Sequence, residues 1–157
     1  MSGPTPSLGK TEAGQVLNRE RIRRGITWAR IAEEIGRPPV WTVAALLGKH
    51  PVPPDAARTV GRLLELDAEV VAALQLQPTR IADRAAASDP TIYRFHEALD
   101  VYGAAIKELI HEEFGDGIMS AINFGFTVRR EPDPNGDRVE IVLNGKFLPY
   151  EWRGERQ

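Results

Sequence analysis

The chain reads as a mainly α protein with a small β part. Three observations carry that reading. Residues 11–74 hold short segments of helical periodicity, each ended by glycine or proline. Residues 91–114 hold a much longer one, with Ile92, Phe95, Leu99, Tyr102, Ile106, Leu109 and Ile110 on one stripe at roughly 100° per residue. Beyond Gly115 the pattern switches to alternation. The expected architecture is an N-terminal helical bundle over 10–77 and a C-terminal part over 88–157, in which a long helix is followed by a β-hairpin.

Residues 1–9 are expected to form a loose arm. A first helix is expected over 11–24, capped by Thr11, with Ala13, Val16 and Leu17 at helical spacing and Gly25 as its stop. Thr27 is a good cap for a second, with Trp28, Ile31, Ala32 and Ile35 apolar and Gly36 as its stop. Pro38 and Pro39 open a third, which Gly48 stops. A fourth is expected over 55–66, with Ala57, Val60, Leu63 and Leu64 inward, and a short fifth over 67–74. Residues 75–90 read as a link. The long helix comes next, and its stripe should face a core. Strands are expected over 120–130 and 138–143, around a Pro134-Asn135-Gly136 turn. The tail after Leu148 is polar and is expected to fray.

One long helix and one hairpin make a poor closed core, because two strands alone are marginal in water. The C-terminal part is therefore expected to complete itself against a second copy.

Composition narrows the function. The chain has 157 residues and no cysteine, which excludes disulfides and cysteine-held metals. No apolar run approaches the roughly 20 residues of a membrane span, and the first residues lack the apolar stretch of a signal peptide. A cytoplasmic protein is expected. The formal net charge of -2 gives no general pull toward nucleic acid.

The segment TWARIAEEIGRPPVWTVAALLG resembles a helix-turn-helix, which makes a DNA-binding regulator with a C-terminal dimerisation domain the alternative reading. Base readout wants Arg, Lys, Asn or Gln on the second helix. Val40 to Leu47 supplies none of these. Arg19, Arg21, Arg23, Arg24, Arg30 and Arg37 are left as phosphate contacts at most. The bundle is not expected to bind DNA.

The chemistry points to the long helix and the turn and strand after it. Arg94 and Glu97 lie three apart and share a helix face. Ser120 comes just past the turn, where local backbone can pin a side chain. On a free surface these residues would be an ordinary ion pair and an ordinary serine. If subunits met around them, the arginine would hold a small anion, the carboxylate would fix the arginine, and the hydroxyl would add a hydrogen bond. No histidine stands at a triad spacing from Ser120, and nothing like HExxH appears, so His96 and His111 read as surface or packing residues. FGDGIMS lacks the lysine of a phosphate loop and reads as a tight helix-to-strand turn.

YRFHEALDVYGAAIKELIHEEFGDGIMSAINF closely resembles the signature segment of the cyanases, also called cyanate hydratases or cyanate lyases. The resemblance extends through VEIVLNGKFLP and back through the helix-turn-helix-like segment. It implies that Arg94, Glu97 and Ser120 are the catalytic residues, and that His96, where some relatives carry tyrosine, adjusts the pocket wall. It implies the reaction of cyanate with bicarbonate to carbon dioxide and carbamate, with bicarbonate a co-substrate and no cofactor or metal. It also implies C-terminal parts interlocked as a dimer, five dimers in a decamer, and active sites where subunits meet.

Overall fold

The computed structural model describes residues 6–151. Of the loose arm expected over 1–9, residues 1–5 lie outside the described residues, as do residues 152–157 of the tail expected to fray after Leu148. Contacts divide the chain into two units that alternate along it. One comprises residues 6–80 with Phe126–Ile141, and the other Ile81–Gly125 with residues 142–151.

The first unit holds five helices: α1 (Lys10–Arg23), α2 (Trp28–Ile35), α3 (Pro39–Leu46), α4 (Pro54–Leu64) and α5 (Ala68–Ala73). Their apolar stripes converge on Leu17, Ile31, Leu46, Val60, Leu64 and Leu74, all essentially without solvent exposure. Burying side chains of this size stabilises the unit by about 1.5–3 kcal/mol each. Thr27 caps α2 by accepting from the Arg30 N–H at 3.1 Å, and Gly36 ends that helix in the left-handed region at φ 63°. Where α4 stops, a non-glycine residue, Glu65, takes the left-handed position at φ 51°.

The N-terminal cap and the arm differ from expectation. Gly9, not Thr11, is the cap residue of α1, and its N–H is taken by Glu12 Oε2 at 3.0 Å. Residues 7 and 8 are tied down: their N–H groups donate to Glu69 Oε1 at 3.0 and 3.2 Å. Sequence periodicity shows no such long-range polar anchor. Lys10 is buried as well. Its ammonium donates to the Leu74 carbonyl, which also accepts from Val52 N at 3.0 Å, and desolvation lowers its pKa.

The second unit contains a short 3₁₀ turn (Ala86–Ser88), the 25-residue α6 (Pro90–Phe114), and the base of a hairpin of β1 (Gly117–Glu131) and β2 (Arg138–Pro149). Asp89 caps α6 by accepting from Thr91 and Ile92 N–H at 2.8 and 3.2 Å, with Pro90 in the first helical turn. The expectation that its stripe faces a core fails within one chain. No α6 residue is buried, and Phe95, Leu99, Tyr102, Ile106 and Leu109 are all exposed. Helical periodicity specifies an apolar face but not what covers it.

Both strands run longer than expected. β2 continues past Leu143 through Gly145, although glycine weakens a strand interior. β1 has 15 residues against 12 in β2. The excess is local. Ser120 lies against Gly145, whereas Gly125 lies against Asn144, so β1 takes five steps where β2 takes one. Residues 121–124 bulge outward, and Ile122 is 97% exposed.

Candidate active site

Arg94 and Glu97 stand in the first turns of α6. One turn of helix separates them, and the Arg94 guanidinium donates to Glu97 Oε2 at 2.6 Å. That hydrogen bond, with the charge of the carboxylate, raises the pKa of Arg94 further above its ordinary value, so it is a permanent cation. Both side chains are open: 72% of Arg94 and 50% of Glu97 faces solvent. An exposed pair of this kind contributes little to stability. Its effect here is to fix a positive charge in one orientation.

Ser120 is the opposite case. It is 6% exposed, and its Oγ accepts from the N–H groups of Ile122 and Asn123 at 3.1 and 3.0 Å. The bulge in β1 makes this possible, because those two N–H groups are turned back onto the side chain. A serine hydroxyl has two lone pairs and one proton. With both lone pairs occupied by backbone donors, the O–H is the capacity left over, and it can only donate. These two backbone partners were not legible in the sequence beyond the general expectation of local pinning.

Among the described residues no hydrogen bond or ion pair joins Ser120 to Arg94 or Glu97. A groove of about 410 Å³ in the same unit is lined by Ile106, Lys107, Ile110, His111, Met119 and Tyr150 among others, and none of the three lines it. Lys107 Nζ lies 3.5 Å from His111 Nδ1 at this groove. His96 is exposed on α6. Among the described residues no three His, Asp or Glu side chains converge as a metal site would need, and no helix is long and apolar enough to cross a membrane.

Arg23 is paired with Glu20 at 2.7 Å, Arg24 with Glu65 at 3.0 Å, and Arg30 with Glu33 at 3.4 Å. Arg21 donates to Asn18 and to the Ile26 carbonyl while stacking 4.3 Å over Trp28, and Arg37 lies 5.5 Å over Trp41. These five cations, counted as possible phosphate contacts, are engaged within the unit.

The fold and site define a class: a bundle of short helices joined to a long helix and hairpin that present an arginine–glutamate pair and a pinned serine. The chain belongs to the cyanate hydratase family. The profile "Cyanate hydratase, N-terminal" matches residues 12–78, and "Cyanate lyase C-terminal domain" matches residues 84–152. A cyanate hydratase of Mycolicibacterium vanbaalenii is 58% identical over 133 residues, covering 84% of this chain and 87% of that one. One of Thiobacillus denitrificans is 55% identical over 144 residues, covering 91% and 98%. The crystal structure of cyanase from T. urticae superposes with a TM-score of 0.79 at 32% identity, covering 90% of this chain and 99% of that one.

Proposed function

We propose that this chain is a cyanate hydratase that decomposes cyanate with bicarbonate, with Arg94, Glu97 and Ser120 as its catalytic residues. The observation that carries the reading is its extensive identity to cyanate hydratases across both halves. The geometry supports it: a fixed cation and a donor-only hydroxyl suit small anions.

Both substrates are anions, and bringing them together in water costs repulsion. Arg94 offsets that charge, and Glu97 holds the guanidinium in place. Ser120 donates its remaining O–H to a substrate oxygen. A bicarbonate oxygen attacks the cyanate carbon, forming a C–O bond, and the nitrogen takes up two protons, the one that bicarbonate carried and one from solvent. Cleavage of the bicarbonate carbon–oxygen bond then releases carbon dioxide and leaves carbamate, with one proton consumed overall. Carbamate decomposes unaided to ammonia and carbon dioxide. The rate gain comes from proximity and preorganised charge. The N–H groups of Ile122 and Asn123 are committed to Ser120, so substrate oxygens must find other backbone donors.

The site is completed by self-association. The bare apolar face of α6 supports an interlocked dimer, and the reading extends to five dimers per particle acting in the cytoplasm. It assigns residues 10–77 to a bundle that binds no DNA and 88–157 to catalysis and dimerisation, which the boundaries of the two matched profiles support. The test is ammonia release from cyanate with and without added bicarbonate. Bicarbonate-dependent release is expected. Release that ignores bicarbonate would make the protein a simple hydrolase and overturn the reading.

A further inference from the structure

At two glycines an added side chain would collide across the β1–β2 hairpin. A Cβ on Gly117 would run into the Leu148 carbonyl and lie 2.5 Å from Phe147 Cζ. A Cβ on Gly145 would run into the carbonyl oxygen of Ser120 and lie 2.5 Å from Met119 Cγ. Real Cβ atoms essentially never come within 3.0 Å of such neighbours. Gly145 is not among the glycines with left-handed backbone, which are Gly25, Gly36, Gly48, Gly115 and Gly136. Its lack of a side chain is therefore required by space, not by φ. The obstacle is backbone, which cannot rotate away as a side chain can. The contact also lies at the foot of the bulge that turns the Ile122 and Asn123 N–H groups onto Ser120 Oγ.

We infer that Gly145 is a positioning residue for Ser120: by letting β2 press on the Ser120 carbonyl, it sets the bulge that aims the serine O–H at the substrate. This rests on the cyanate-decomposing reading and adds a residue to it. A methyl at 145 must push the strands apart at Ser120. The two N–H contacts to Oγ then lengthen, the hydroxyl regains rotational freedom, and its donor leaves the substrate oxygen.

The experiment uses the assembled full-length protein and a double-mutant cycle of Gly145→Ala with Ser120→Ala. Two quantities are read: cyanate turnover, and calorimetric affinity for azide, a linear triatomic anion like cyanate. Gly145→Ala is expected to lower kcat by up to about 10²-fold, as an ångström-scale misplacement does. It should weaken azide about tenfold when Ser120 is present, the scale of a hydrogen bond to a charged group, and leave azide affinity unchanged in the Ser120→Ala background. Gly125→Ala is the control, because its Cβ would meet Asn144 at an ordinary 3.8 Å, and it should keep both quantities within about twofold. Wild-type values in Gly145→Ala, or an equal loss with and without the serine hydroxyl, would overturn the inference while leaving the functional reading intact. If Gly145→Ala does not assemble, the Gly145→Ala, Met119→Ala double variant removes the side-chain obstacle and keeps the one at Ser120. An assembled and impaired double variant supports the inference, and an assembled and active one overturns it. Failure of both to assemble would make Gly145 a folding requirement and overturn the positioning role. A wild-type protein that neither consumes cyanate nor binds azide sinks the functional reading and this inference with it.

Discussion

If Arg94 holds the substrates as proposed, replacing it with leucine removes a charge that offsets two anions and leaves Glu97 to repel them. Turnover is expected to fall at least about 10²-fold, the scale set by a lost electrostatic stabiliser. Size-exclusion chromatography should show the assembly unchanged, because the apolar stripe of α6, to which Arg94 does not belong, is the face expected to carry self-association. A variant that still turns over cyanate would remove the clamp. Glu69 carries a different kind of prediction. The Ser7 hydroxyl, opposed only in part by burial, holds its carboxylate below the ordinary 4.5, with the N–H groups of Leu8 and Ser7 adding to the effect. A folded pKa below the unfolded one means that the unfolded chain binds more protons in acid. The arm's contribution is therefore complete above pH 4.5 and is lost as pH falls below it. Thermal unfolding measured from pH 6 downward should show this loss, and Glu69→Gln should flatten that part of the curve.

At the scale of elements, the bundle depends on close helix contacts. A Cβ on Gly14 of α1 would lie 2.7 Å from the Leu46 carbonyl, whereas one on Gly61 of α4 would lie 2.6 Å from Val71 Cγ2. Backbone cannot yield and a side chain can. Gly14→Ala and Gly61→Ala should each cost about 1–3 kcal/mol of overpacking. Val71→Ala should rescue the second, and no side-chain truncation at position 46 should rescue the first. Denaturant midpoints measure both. The long helix makes the opposite prediction. Leu99 is 60% exposed in one chain, so Leu99→Asp should leave the bundle folded by circular dichroism and yet break self-association. Ultracentrifugation that finds this variant fully assembled would place the interface elsewhere.

At the scale of the molecule, activity and assembly should be inseparable. The C-terminal unit has no buried residue on its longest helix, and its arginine and serine make no hydrogen bond to each other within a chain. Native mass spectrometry should find ten times the 17.4 kDa chain mass. Dilution that dissociates the particle should abolish turnover with the same midpoint. Active monomers would contradict the shared site.

The sequence determined what is local. Helix starts and stops were set by Thr27, Gly36, Pro39 and Asp89, because caps and prolines act within a turn of where they stand. The Arg94–Glu97 pair came from helical spacing, and the family from one long segment and its flanks. Tertiary structure alone decided what depends on residues far apart in the chain. The expected second strand stopped at residue 143, short of Gly145, and only the crossing of β2 under Ser120 shows that glycine as a point of contact. Nothing local marks Glu69, and only the returning arm gives it partners. The stripe on α6 was legible as apolar, but periodicity records which face avoids water and not which surface covers it.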